Sequence, residues 1–120
     1  MQYVPTAANF LETMADLLDN ELLPALPPSL QHKARVAANV CRILERQNEL
    51  EPAAMQREYD RLTALLGHDG DRVELSAELT NKLRSSSDSA FDAKAWEAIV
   101  AIVRDDLAIA KPGHDRYEGE

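Results

Sequence analysis

The sequence predicts an all-α fold, a single-domain helical bundle of about five helices joined by short loops. Three observations predict it. Large apolar residues recur at three- and four-residue steps through most of the chain, the period of an α-helix. No segment alternates apolar and polar residues as a half-buried strand would. Prolines and glycines fall between the periodic stretches, where they act as punctuation. Composition agrees: aromatic residues make up 5% of the 120 positions, so the core rests on Leu, Ile, Val, Met and Ala. That mixture suits helices better than sheets. A chain of this length can bury roughly two-thirds of its unfolded surface.

The first helix is expected through Leu11, Met14, Leu18 and Leu22, with Phe10 and Leu17 beside them, opened by Thr6 or by acidic Glu12 and Asp16. It should end near Leu23, because Pro24 starts the stiff connector "PALPP". Pro28 and Ser29 suit the entry to a second helix, about Ser29 to Leu50. On that helix Leu30, Ala34, Ala37, Cys41 and Leu44 form one row, with Val36, Val40 and Ile43 alongside. The two rows cover about half the circumference, a width that predicts contact with helices on two sides. Pro52 is expected to break the helix and open a third through Met55, Tyr59, Leu62 and Leu66, closed by Gly67 in "GHDGD". A shorter fourth helix uses Leu75, Leu79 and Leu83, with Val73 near its start. After the polar, cap-rich "RSSSDSAFD", a last helix carries Trp96, Ile99, Val100, Val103, Leu107 and Ala110 and stops before Pro112. The domain is thus expected over residues 1–112, and residues 113–120 form a loosely held acidic tail.

The formal net charge of −8 repels phosphate backbones and anionic lipid, which argues against nucleic acid and membrane surfaces as partners. The single cysteine excludes an intramolecular disulfide and a zinc site of several cysteines. The opening "MQYVPTAANFLETMADLL" lacks the basic region, apolar run and cleavage site of a signal peptide, so a cytoplasmic location is expected.

Against that acidic background one stretch gathers cations. In "HKARVAANVCRILER", His32, Arg35, Asn39, Arg42 and Arg46 recur at steps of three, four, three and four residues. On a helix they share an arc of about 80°. Three readings follow. The stripe is a solvated outer face, or its cations pair with acidic residues of the first helix (Asp16, Asp19, Glu21) or of the last (Asp105, Asp106), or it binds an arriving anion. Asn39 favours a hydrogen-bonding role, because an amide has poor propensity in mid-helix.

Other candidates carry less chemistry. Cys41 lies in the apolar row and reads as a small core residue, with no base nearby by sequence. His68, Asp69 and Asp71 in "GHDGD" do not have the spacing of a calcium loop. Trp96 is expected to pack in the core, with an oligomer interface as the alternative. No phosphate loop, nucleophile elbow or His-Glu-x-x-His motif occurs. Catalytic residues, metal ligands and cofactors are therefore expected to be none.

The segment "LLDNELLPALPPSLQHKARVAANVCRILERQ" resembles the N-terminal half of a bacterial family of small all-α domains of unknown function. Its pattern is Glu-x-Leu-x-Pro, then His-x-x-Arg-Val-Ala-x-Asn, then Glu-Arg. Here these positions are Glu21, Leu22 or Leu23, Pro24, His32, Arg35, Val36, Ala37, Asn39, Glu45 and Arg46. "LAIAKP", Leu107 to Pro112, is similar to the family's closing Leu-Ala-x-x-x-Pro. Lys33 and Gln47 depart from the pattern. The resemblance implies genes encoded beside aminoglycoside-phosphotransferase-like and acyl-CoA-dehydrogenase-like proteins, and hence an accessory role beside such an enzyme. The expectation is a non-catalytic interaction protein. A small-anion module for phosphate, carboxylate or an acyl-CoA group is the alternative, and self-association stays open.

Overall fold

A computed structural model describes residues 4–114. Among them the chain is all helical, in four helical segments rather than five. They are α1 (residues 7–25), α2 (Pro28–Leu66), α3 (Arg72–Ser85) and α4 (Ser89–Ala110). The chain divides into two compact units. One holds the residues up to Glu51 with Ile109–Lys111, the other Pro52–Ala108 with the residues from Pro112 on. Most of the acidic tail, residues 115–120, lies outside the described residues.

Helix α1 is opened by Thr6, whose hydroxyl accepts from the Asn9 amide at 3.2 Å while the Asn9 side chain accepts from the Thr6 amide at 3.1 Å. That reciprocal pair satisfies two otherwise orphaned donors. Pro24 does not end the helix. Instead Leu17–Leu22 widens into a π register, in which the Leu23 amide donates to the Leu18 carbonyl, and Leu23–Ala25 adds a last turn. A proline ring clashes with the carbonyl four residues back, here Asn20, and widening the helix upstream removes that clash. Gln31 closes the connector by donating to the Leu26 carbonyl at 3.2 Å.

The fifth helix disappears because Pro52 breaks nothing. Helix α2 runs unbroken for 39 residues with Pro52 inside it. Pro52 cannot donate to the carbonyl of Asn48, and its ring crowds that carbonyl, but the helix continues through it. Leu50, Glu51, Ala53, Ala54, Met55 and Gln56 around it are mostly strong helix formers. Gly67 then ends α2 with φ of 79°, its amide donating to the Thr63 carbonyl at 2.8 Å. This left-handed conformation is the usual helix stop. Asp71 caps α3 through the Val73 amide at 3.2 Å, and Asp88 caps α4 through the amides of Ala90 and Phe91.

In the first unit the buried positions are small: Ala15 on α1, and Ala34, Ala38 and Cys41 on α2. The larger side chains of α2's two apolar rows are not covered. Leu30, Val36, Val40 and Leu44 are each 40–49% exposed. Small side chains set a short interhelical distance, so neighbours on a broad apolar face are left outside it. The tight fit predicts that Ala38→Leu, at a residue 1% exposed, destabilises by about 1–3 kcal/mol. Val40→Leu should change thermal stability little, and melting curves of the two variants check the contrast.

In the second unit Leu62, Leu75, Leu79 and Ala95 form the core, with Tyr59, Leu65, Leu66, Leu83, Phe91 and Ile99 packed against it. Ala95, not its neighbour Trp96, is the α4 residue aimed inward. It shares a row with Phe91 and Ile99 at four-residue steps, and Trp96 lies about 100° further round. Trp96 is 69% exposed, which corrects its expected place in the core.

Candidate functional site

The cationic stripe on α2 divides into held and unheld groups. Arg42 donates from Nη2 to Oδ2 of Asp19 at 2.6 Å and lies 3.7 Å from Oδ1 of Asp16. This joins α1 to α2 inside the first unit. Arg46 donates from Nε to the Ile109 carbonyl at 2.8 Å. Ile109 is in the last turn of α4, where carbonyls lack intrahelical partners, and a cation there also suits the negative end of the helix. No basic residue in α4's own last turn does this work.

His32, Arg35 and Asn39 are exposed, and none has a hydrogen-bond or ion-pair partner among the described residues. Their Cα atoms rise by about 4.5 Å and 6 Å from one to the next, so the three groups form a row along the helix rather than a ring around one point. Glu21 is exposed and does not meet the stripe. Asp106 is exposed as well.

Asp105 serves a different pair of cations. Arg57 grips both its carboxylate oxygens at 3.1 Å, and Arg61 donates to one of them at 3.1 Å. Reading Asp105 and Asp106 as a candidate pair for the stripe overlooked this cluster. The available signal was Arg57 and Arg61 themselves, two cations four residues apart on one helix face. Burial pushes the Asp105 carboxyl up, but the hydrogen bonds from Arg57 and Arg61 outweigh it and hold the group below its ordinary value. Its folded pKa is therefore lower than its unfolded one. The resulting stability is present above about pH 4 and is lost as pH falls through the folded value. Asp105→Asn should cost on the order of 1 kcal/mol at neutral pH. It should also flatten the acid limb of the stability–pH curve, and urea melts between pH 2 and pH 7 measure both effects.

The "GHDGD" segment is a turn. His68 lies 2.7 Å from Glu78 through Nε2, and its Nδ1 is 2.8 Å from the Asp69 carbonyl. The Asp69 contact and then Glu78 raise the imidazole above its ordinary value. Among the described residues no group of three or more His, Cys, Asp or Glu side chains could hold a metal ion. Gly70 has a packing reason to be glycine: a Cβ there would come within 3.3 Å of the Leu75 side chain. On α4, Trp96, Glu97, Val100, Ala101 and Arg104 line a shallow open hollow that belongs to one helix face. Among the described residues no helix is long and apolar enough to cross a membrane.

Residues 24–114 match the family described as Domain of unknown function (DUF6285), a span that takes in the last two residues of α1, the connector and all of α2, α3 and α4. The chain belongs to that family. DUF6285 thus covers every member of the stripe from His32 to Arg46, together with Asp105 and Ile109, while most of α1 falls outside it. No curated protein and no solved structure shows a significant match to the chain.

Proposed function

We propose that the chain is a non-catalytic helical accessory protein that binds another protein through the outer flank of α2. The observation that carries this reading is the division of the stripe. Arg42 and Arg46 are held within the first unit, whereas His32, Arg35 and Asn39 stand exposed with no partner among the described residues. In an acidic chain, such a row is complementary to carboxylates on a partner surface. Arg35 supplies a planar fork for a bidentate carboxylate contact. A linear row about 10 Å long fits spaced groups on a protein better than one small anion, which needs donors converging on a point. The family resemblance supports a phosphotransferase-like or acyl-CoA-dehydrogenase-like enzyme as the partner, and the opening segment without a signal-peptide pattern supports a cytoplasmic setting.

Capture from extracts of the native organism tests this. Wild type should enrich such an enzyme, and Arg35→Glu, folded normally by circular dichroism, should lose it. Wild type that enriches no partner would sink the proposal. The small-anion reading predicts something else: a rise in melting temperature with phosphate, a carboxylate or CoA that Arg35→Ala abolishes.

A further inference from the structure

We propose that the opposite flank of the α1–α2 hairpin is a two-fold interface between two copies of this chain. This goes beyond the accessory reading and uses a different face of α2.

The contact of Arg42 with Asp16 and Asp19 fixes which flanks of α1 and α2 share one side of the hairpin. On a wheel of about 100° per residue, Phe10, Met14 and Leu17 lie on the far flank of α1 from Asp16. Val36, Val40 and Leu44 lie on the far flank of α2 from Arg42. In an antiparallel hairpin these two flanks face the same way. All six side chains are strongly exposed, from 42% for Leu17 to 58% for Phe10. Together they leave on the order of 600 Å² of apolar surface, the top of the range for the largest patch on a monomer. Two copies meeting there would remove roughly 1,200 Å² from these side chains alone, the area at which stable specific interfaces begin.

The register of α2 names the occupant. Lys33, Ala37, Val40, Leu44, Gln47 and Glu51 follow one another at steps of four, three, four, three and four residues along this flank. The row is symmetric about Arg42. Laid antiparallel on a second copy, Val40 faces the other copy's Leu44, Ala37 faces Gln47, and Lys33 faces Glu51 at each end. An isologous contact requires this self-complementarity, in which residue i meets j and j meets i. Lys33 and Glu51 have no ion-pair partner among the described residues, so both remain available. Lys33, a departure from the family pattern at one end of a row whose centre is Ala37, Val40 and Leu44, acquires a role as the charge that sets register.

Sedimentation equilibrium on the full chain across micromolar concentrations tests the interface, with circular dichroism confirming the fold of each variant. Wild type should be a dimer. Lys33→Glu and Glu51→Lys should each weaken dimerisation at least tenfold, and the Lys33→Glu/Glu51→Lys double variant should recover most of that loss. Leu44→Glu should be monomeric with its helix content intact. Arg35→Glu, on the other flank, should dimerise as wild type does. That outcome separates this interface from the partner-binding face. Wild type that remains monomeric throughout would overturn the proposal, as would a double variant no better than its singles.

Discussion

Leu75→Ala is expected to destabilise the protein by about 3–5 kcal/mol. Leu75 is 1% exposed and belongs to a core whose buried members among the described residues are Leu62, Leu75, Leu79 and the small Ala95. Removing its isobutyl group deletes the buried apolar area and leaves a cavity. The walls can relax only in part, because Leu62 and Leu79 are already committed to the same cluster. Gly70 lies alongside, where an added Cβ would come within 3.3 Å of Leu75. For a chain of this length the melting temperature should fall by roughly 10–20 °C. Val73→Ala, in the same helix at a residue 69% exposed, should stay within about 0.5 kcal/mol of wild type. Thermal and urea melts of the pair measure the difference. Equal effects would mean that the α3 face turned inward has been misassigned.

Pro52→Ala is expected to act in the other direction, raising stability by about 2 kcal/mol. Within a helix interior proline is about 3 kcal/mol less favourable than alanine. Its restriction of the unfolded chain returns up to about 1 kcal/mol of that difference. The substitution restores a donor for the Asn48 carbonyl in a helix that already runs from Pro28 to Leu66. A rise in melting temperature of roughly 6–12 °C should accompany it, with slower amide exchange in the turn around residues 48–56. An unchanged or lower melting temperature would show that Pro52 serves the folded chain in a way that the helix alone does not require.

The all-helical class was legible because periodicity, turn residues and caps all pointed one way. Thr6, Gly67, Asp71 and Asp88 mark helix ends through their own side-chain or backbone chemistry, which is local and so visible in sequence. Both prolines within helices misled, each for a local reason with a non-local remedy. Pro24 is accommodated by a change of helical register upstream, and Pro52 by helix formers on either side. Spacing placed His32, Arg35, Asn39, Arg42 and Arg46 on one arc of α2, but it carries no information on what lies across from each. That Arg42 meets Asp19 while Arg46 meets a carbonyl of the last helix depends on tertiary placement. The same limit applies to the apolar side of α2. A wheel showed a broad face without showing that Ala34 and Cys41 would be covered while Ala37, Val36 and Val40 are left out.

Cys41 turns the seam of the first unit into its own reporter. It is the only thiol in the sequence, 8% exposed and unbonded, in the same buried row as Ala34 and Ala38. A chromogenic disulfide reagent reaches its buried sulfur chiefly in molecules whose first unit has opened. Under native conditions the rate of colour development therefore counts such excursions, and dividing it by the rate for the denatured chain yields their free energy. Any condition that tightens or loosens the first unit can be followed this way, without an introduced label and with no second cysteine in the sequence to confuse the signal.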